Sequence, residues 1–332
     1  MSSDSVKVPK CPAGWVRTEH RAPQIHPLLR TALLLGANRM PLNRMPLAQA
    51  RREAVSRLCP PTVRRAAIAA TADVQLPGPV SLLPGRFYIP AGGDDGTVIV
   101  FLHGGGFVLG GVETHDAVCR SLCEASGTLV FSVGYRLAPE HKFPAGLQDC
   151  LAAIRWVVEG RHALSRRTER LFLAGDSAGG NLASVAAMRL AEDKDAEILG
   201  QLLLYPMIDH VSSGHGSYSV FADGYGLTKD MLDWYWSCYL PDAATGSRSD
   251  VSPLRASNLS GMPSTFLATA EFDVLRDEGL AFASRLAQAG VNVEHIHYDN
   301  MNHGFAMWQG LVGEASDVFR RASVWMRICR RS

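Results

Sequence analysis

Four stretches carry residue types suited to acyl transfer. In chain order they are His103-Gly104-Gly105-Gly106-Phe107, Gly175-Asp176-Ser177-Ala178-Gly179-Gly180, Glu271-Phe272-Asp273 and Asn302-His303-Gly304. A serine hydroxyl becomes a useful nucleophile when an imidazole takes its proton. A carboxylate then holds that imidazole in one tautomer and stabilises the imidazolium. Ser177 and His303, with an acid between them in sequence, are the candidate set. Three successive glycines weaken ordinary structure. They are expected where backbone N–H groups must be exposed or closely approached. The N–H groups of Gly105 and Gly106, with that of Ala178, are therefore candidate donors to a developing oxyanion. His103 is read as orienting this loop by hydrogen bonding, not as a base.

The acid has several candidates. Asp273 follows a predicted strand end, but Glu271 sits at the same end, and Asp277 and Asp299 are near. Asp277 is expected in the first turn of a helix, where a carboxylate complements the dipole. His295 and His297 share one face of a predicted strand and are read as packed or solvated, not as a metal pair. His115, His141, His162, His210 and His215 have no partner motif. Asp176 receives no catalytic role.

These residues need elements to position them. Arg170 to Ala174 is a short apolar run that reads as a buried strand, and Asn181 to Ala191 reads as a helix. G-x-S-x-G between a strand and a helix is the setting of a nucleophile elbow. Further strands are expected at Asp73–Leu76, Gly85–Ile89, Thr97–Leu102, Thr128–Val133, Gln201–Tyr205, Ser264–Ala270 and Val291–Tyr298, eight in all. Helices are expected at Ala117–Ala125, Ala145–Val158, Asp277–Ala289 and Val318–Cys329. This alternation predicts a mostly parallel sheet with helices on both faces. In open sheets of this kind ligand chemistry collects at the carboxyl ends of the strands, where all four stretches fall. Residues 1–70 offer no convincing strand, two candidate helices (Pro46–Arg57 and Val63–Thr71), and breaks at Pro23 and Pro27. Residues 206–262 interrupt the alternation with a segment rich in aromatics, among them Phe221, Tyr225, Trp234, Tyr235, Trp236 and Tyr239. Leu227–Tyr239 could be a helix carrying most of them, packing in the core or lining a pocket.

The bulk numbers exclude several classes. The 332 residues are 47% hydrophobic, enough for a large core, and the net charge of +1 favours no nucleic-acid partner. Cys11, Cys59, Cys119, Cys123, Cys150, Cys238 and Cys329 are odd in number and contain no CxxC pair, which argues against a disulfide framework and a zinc site. The basic clusters at 161–170 and 327–331 read as solvated surface. The N-terminal MSSDSVKVPK has no apolar signal-peptide core, and no run approaches the roughly 20 apolar residues of a membrane span. A cytoplasmic location is expected, with no cofactor and no metal. A small-molecule ester is the expected partner, and self-association is left open.

Taken together, the motifs resemble the hormone-sensitive-lipase-like family of α/β-hydrolases, a group of bacterial and related carboxylesterases. The matching stretches are HGGGF at 103–107, YRLAPEH at 135–141, GDSAGG at 175–180, SPL at 252–254, DVLRDEG at 273–279, AGV at 289–291 and HGF at 303–305. They run from about residue 85 to the end in the family's order. One departure is Val274, where the family usually has proline. The resemblance implies Ser177 as nucleophile, Asp273 as the acid, His303 as the base, and an oxyanion hole from Gly105, Gly106 and Ala178. It implies an α/β-hydrolase fold with an eight-stranded, mostly parallel sheet and a helical cap. The expected division is 1–70 as the N-terminal part of the cap, 71–205 as the first part of the core, 206–262 as the cap insertion and 263–332 as the second part of the core. Short to medium acyl esters are the expected substrates. Relatives of this fold that act as hormone receptors lack the histidine present here at 303, and a peptidase reading lacks the extra domain that restricts access.

Overall fold

The computed structural model describes residues 24–58, 62–92, 96–160, 170–191 and 197–331. Cys11, Cys59, His162, Pro23 and most of the 161–170 basic cluster lie outside them. The chain begins with helices α1 (Pro27–Gly36) and α2 (Leu47–Leu58). Pro27 does not break α1. It sits in the first turn, where its missing N–H has no intrahelical acceptor to lose. Residues 62–69 form no helix, against the expectation for Val63–Thr71. From Ala70 the inward residues are Ala72, Val74 and Leu76, a period of two that makes this stretch strand β1 (Ala70–Pro77).

The remaining elements are β2 (Leu82–Ile89), β3 (Thr97–Leu102), α3 (Asp116–Ser126), β4 (Leu129–Val133), α4 (Ala145–Val158), β5 (Arg170–Asp176), α5 (Ala178–Leu190), β6 (Glu197–Leu204), the short α6 (Ser217–Val220), α7 (Lys229–Tyr239), β7 (Thr265–Phe272), α8 (Arg276–Gln288), β8 (Val293–Asn302) and α9 (Gly313–Cys329). The eight strands form one sheet in the order β1-β2-β4-β3-β5-β6-β7-β8. β2 is antiparallel to both β1 and β4, and every other pairing is parallel.

β3 is fully buried along its length, as its unbroken apolar run predicts. Val98, Val100 and Leu102 join the core beneath α4, α5 and α8, while Ile99 and Phe101 join the core beneath α3 and α9. Helices therefore cover both faces. From β3 the chain crosses to β4 on one side and then to β5 on the other, a reversal that opens a crevice at the carboxyl ends of β3 and β5. Leu102 pairs with Gly175 in this register, so the glycine loop after β3 and the turn after β5 leave the sheet side by side.

Candidate active site

Ser177 occupies the single residue between β5 and α5. Its φ of 54° and ψ of −122° are strained for a residue with a Cβ, at a cost of about 1–3 kcal/mol. The surroundings hold it there. Its N–H donates to the Leu204 carbonyl at 2.9 Å, and its carbonyl accepts from Met207 N at 3.0 Å. Glycine is required on either side. A Cβ on Gly175 would overlap the Gly179 carbonyl, and one on Gly179 would overlap the Leu102 carbonyl. Asn181 supports the turn from within α5, donating to the carbonyls of Met207 at 2.8 Å and Val251 at 2.7 Å.

The structure brings three of the predicted side chains into a line. Ser177 Oγ lies 3.0 Å from His303 Nε2, and His303 Nδ1 lies 2.8 Å from Asp273 Oδ2. A carboxylate only accepts, so Nδ1–H donates to Asp273 and Nε2 is left to accept the serine proton. Asp273 is buried, and its other oxygen accepts from Leu275 N at 2.9 Å. The rival acids are engaged elsewhere. Glu271 pairs with Arg276 at 2.6 Å and with His297 at 3.1 Å. Asp277 pairs with Arg276 at 2.9 Å and accepts from Ser217 N at 2.8 Å, and Asp299 is exposed. His295 and His297 both face Thr269 Oγ1, at 2.9 and 2.8 Å.

The glycine loop turns beside this line. Gly105 and Gly106 have φ of 114° and 62°, a region open to glycine. Among the described residues their N–H groups meet no hydrogen-bond acceptor, and the Ala178 N–H, in the first turn of α5, has no intrahelical acceptor. His103 is buried and stacked on Tyr135, with ring centroids 4.2 Å apart. Burial, reinforced by His115, pushes its pKa down to about 3. Its Nδ1–H donates to the Gly104 carbonyl at 2.8 Å, an orienting contact within the loop.

Three contacts had no signal in the sequence. His115, which ends the loop before α3, lies 3.2 Å from the Asp176 carboxylate, and Asp176 also accepts from Gly104 N at 2.8 Å. Burial alone would raise the Asp176 carboxyl, but His115 and the Gly104 N–H outweigh it and hold the group below the usual carboxylate range. Tyr205 meets the His303 ring edge-on at 4.9 Å. Among the described residues no group of three or more His, Cys, Asp or Glu is placed to hold a metal ion. No helix among them is long and apolar enough to cross a membrane.

The sequence profile of the α/β-hydrolase fold matches residues 99–307. The chain belongs to this family. Within it, several relatives are named as carboxylic ester hydrolases or carboxylesterases. The chain is similar to the carboxylic ester hydrolase LipN of Mycobacterium tuberculosis, 41% identical over 70% of this chain and 63% of LipN, just under two thirds of that relative's length. It is also similar to an ethyl acetate hydrolase of Pseudomonas putida, 36% identical over 71% of this chain and 75% of that one. A hyperthermophilic esterase from the archaeon Pyrobaculum calidifontis superposes with a TM-score of 0.86 at 32% identity, covering 93% of this chain and all of the other. This α/β-hydrolase is thus a member of the hormone-sensitive-lipase-like carboxylesterases.

Proposed function

We propose that this hydrolase cleaves carboxylic esters through a covalent acyl-serine, with Ser177, His303 and Asp273 as its triad. The observation that carries the reading is the unbroken hydrogen-bond line from Ser177 Oγ through His303 to the buried Asp273. His303 Nε2 takes the hydroxyl proton as Oγ attacks the ester carbonyl. The negative charge that develops on the carbonyl oxygen is received by the N–H groups of Gly105, Gly106 and Ala178. Collapse expels the alcohol, which leaves with the proton from His303. Water then repeats the sequence, giving its proton to His303 and releasing the acid. Side chains and backbone of this chain carry every step.

Short to medium acyl chains are the proposed substrates, in line with a relative named for ethyl acetate. Residues 1–70 and 206–262 are proposed as the cap over the site, with 71–205 and 263–332 as the core, and the cytoplasm as the place of action. Assay of the purified protein on p-nitrophenyl esters from acetate to palmitate, beside Ser177→Ala, tests the reading. Turnover that peaks at short chains and vanishes in the variant supports it. Turnover retained by Ser177→Ala overturns the mechanism, and a profile rising to palmitate overturns the chain-length assignment.

A further inference from the structure

We propose that helix α7, in the segment between β6 and β7, sets the shape of the glycine loop, with Tyr235 and Tyr239 as positioning residues for the oxyanion donors. The proposal rests on the reading of Gly105 and Gly106 as those donors.

The loop cannot hold its shape through local preference. Gly105, Gly106 and Phe107 have φ of 114°, 62° and 65° in succession. Phe107 carries a Cβ and is strained in this region. Strain of this kind persists only where the surroundings over-determine it. The loop's own hydrogen bonds are few. Val108 N and Leu109 N donate to the Gly105 carbonyl at 3.2 and 2.8 Å, and Ala138 N donates to the Phe107 carbonyl at 2.9 Å.

Beyond these bonds and the tie of Gly104 to Asp176, α7 packs directly on the loop. The Tyr235 ring lies directly against the α-carbon of Gly106, where a Cβ would overlap it. The Phe107 ring stacks on Tyr239 with centroids 3.8 Å apart and planes within 9°, and Trp236 packs at 5.6 Å. Leu232, Tyr235, Trp236 and Tyr239 form the buried stripe of α7 at helical spacing. The helix is itself anchored at both ends. Asp230 accepts from Asn43 at 2.8 Å, Phe143 N donates to the Tyr239 carbonyl at 2.8 Å, and Lys142 Nζ donates to the Leu240 carbonyl at 2.9 Å.

The mechanical consequence follows from the chain. Gly106 and Phe107 share a peptide unit, so a Phe107 that leaves Tyr239 relaxes its φ and rotates the donors that precede it. An aromatic stack outside the line of Ser177, His303 and Asp273 thereby controls where the Gly105 and Gly106 N–H groups point. Loss of either tyrosine should weaken binding of the transition state and leave ground-state binding intact.

The test measures kcat and KM on p-nitrophenyl butyrate and the affinity of a trifluoromethyl ketone, which adds to Ser177 and places an oxyanion in the hole. Tyr235→Ala and Tyr239→Ala should lower kcat about 10- to 100-fold, less than the full loss of one oxyanion donor, with KM within about 3-fold. Affinity for the ketone should fall in parallel with kcat/KM. Tyr235→Phe and Tyr239→Phe keep the rings and should restore both. If an alanine variant does not fold, Tyr235→Leu and Tyr239→Leu fill the space without a ring face, and the same readings apply. Folded variants with wild-type kcat and ketone affinity, while Ser177→Ala is inactive, overturn this inference alone. Turnover by Ser177→Ala overturns the parent mechanism.

Discussion

The backbone N–H of Gly104 donates to the Asp176 carboxylate at 2.8 Å. The residue before the glycine loop's candidate donors is thus tied to the residue before Ser177. The two halves of the site, carried by β3 and β5, are joined by a buried charge-assisted bond as well as by sheet register. Glycine at 104 is what permits it, because a Cβ there would press on the same carboxylate.

Asp176 should act as an acid-sensitive fastener. Its folded-state pKa is held below the ordinary value, so its contribution to stability is present above the unfolded-state pKa and is lost as pH falls through the folded one. Asp176→Asn should cost about 1.5–3 kcal/mol at neutral pH, the range for a hydrogen bond to a charged group. It should also flatten the acid limb of the stability curve. Denaturant melts of both proteins between neutral pH and pH 3 measure this, and identical acid limbs would count against the role.

The two carboxylates at the end of β7 should separate cleanly. Asp273→Asn breaks the acceptor for His303 Nδ1–H and favours the wrong tautomer, with an expected loss in kcat of roughly 10⁴-fold. Glu271→Gln loses pairs with Arg276 and His297 on the sheet edge, and kcat should stay within about 3-fold of the parent, since it is absent from the proposed proton path. Parallel kinetics on one p-nitrophenyl ester decide between them, and a crippled Glu271→Gln would reassign the acid.

Replacing His303 by alanine removes the only base in line with Ser177 Oγ among the described residues. Turnover should fall by roughly 10⁴-fold or more, and rapid mixing should detect no burst of p-nitrophenol from acylation. A preserved burst would mean that another group takes the serine proton.

Gly106→Ala should also inactivate, for a steric reason. The added methyl overlaps the Tyr235 ring and the backbone lies at φ 62°. In the double variant with Tyr235→Ala the overlap is gone, and only the loss from the missing ring and the alanine's φ should remain. The two changes should therefore be less than additive, with an interaction energy of at least about 0.5 kcal/mol. A double-mutant cycle in kcat/KM measures it, and strict additivity would place Tyr235 outside the loop's restraint.

Much of this molecule is written locally. The run Thr97–Leu102 reads as a strand buried on both faces, and it is fully buried. The strand-turn-helix around Ser177 is legible because small residues are needed where the chain crosses itself, and Gly175 and Gly179 meet backbone that no Cβ could share. The helices around the sheet follow from apolar spacing, and Ala145–Val158 forms where that spacing put it. Local reasoning failed at Val63–Thr71, which forms no helix and runs into β1 at Ala70, and at Pro27, where a breaker became a helix start. Other choices belong to the tertiary structure. Glu271 and Asp273 look alike in sequence, and only the direction in which β7 ends turns one toward His303 and the other toward Arg276 and His297. His115 meets Asp176, and the aromatic stripe of α7 meets the glycine loop, across 61 residues in the first case and more than a hundred in the second. Such pairings depend on strand order and on how separate segments pack, quantities that no local pattern of residues encodes.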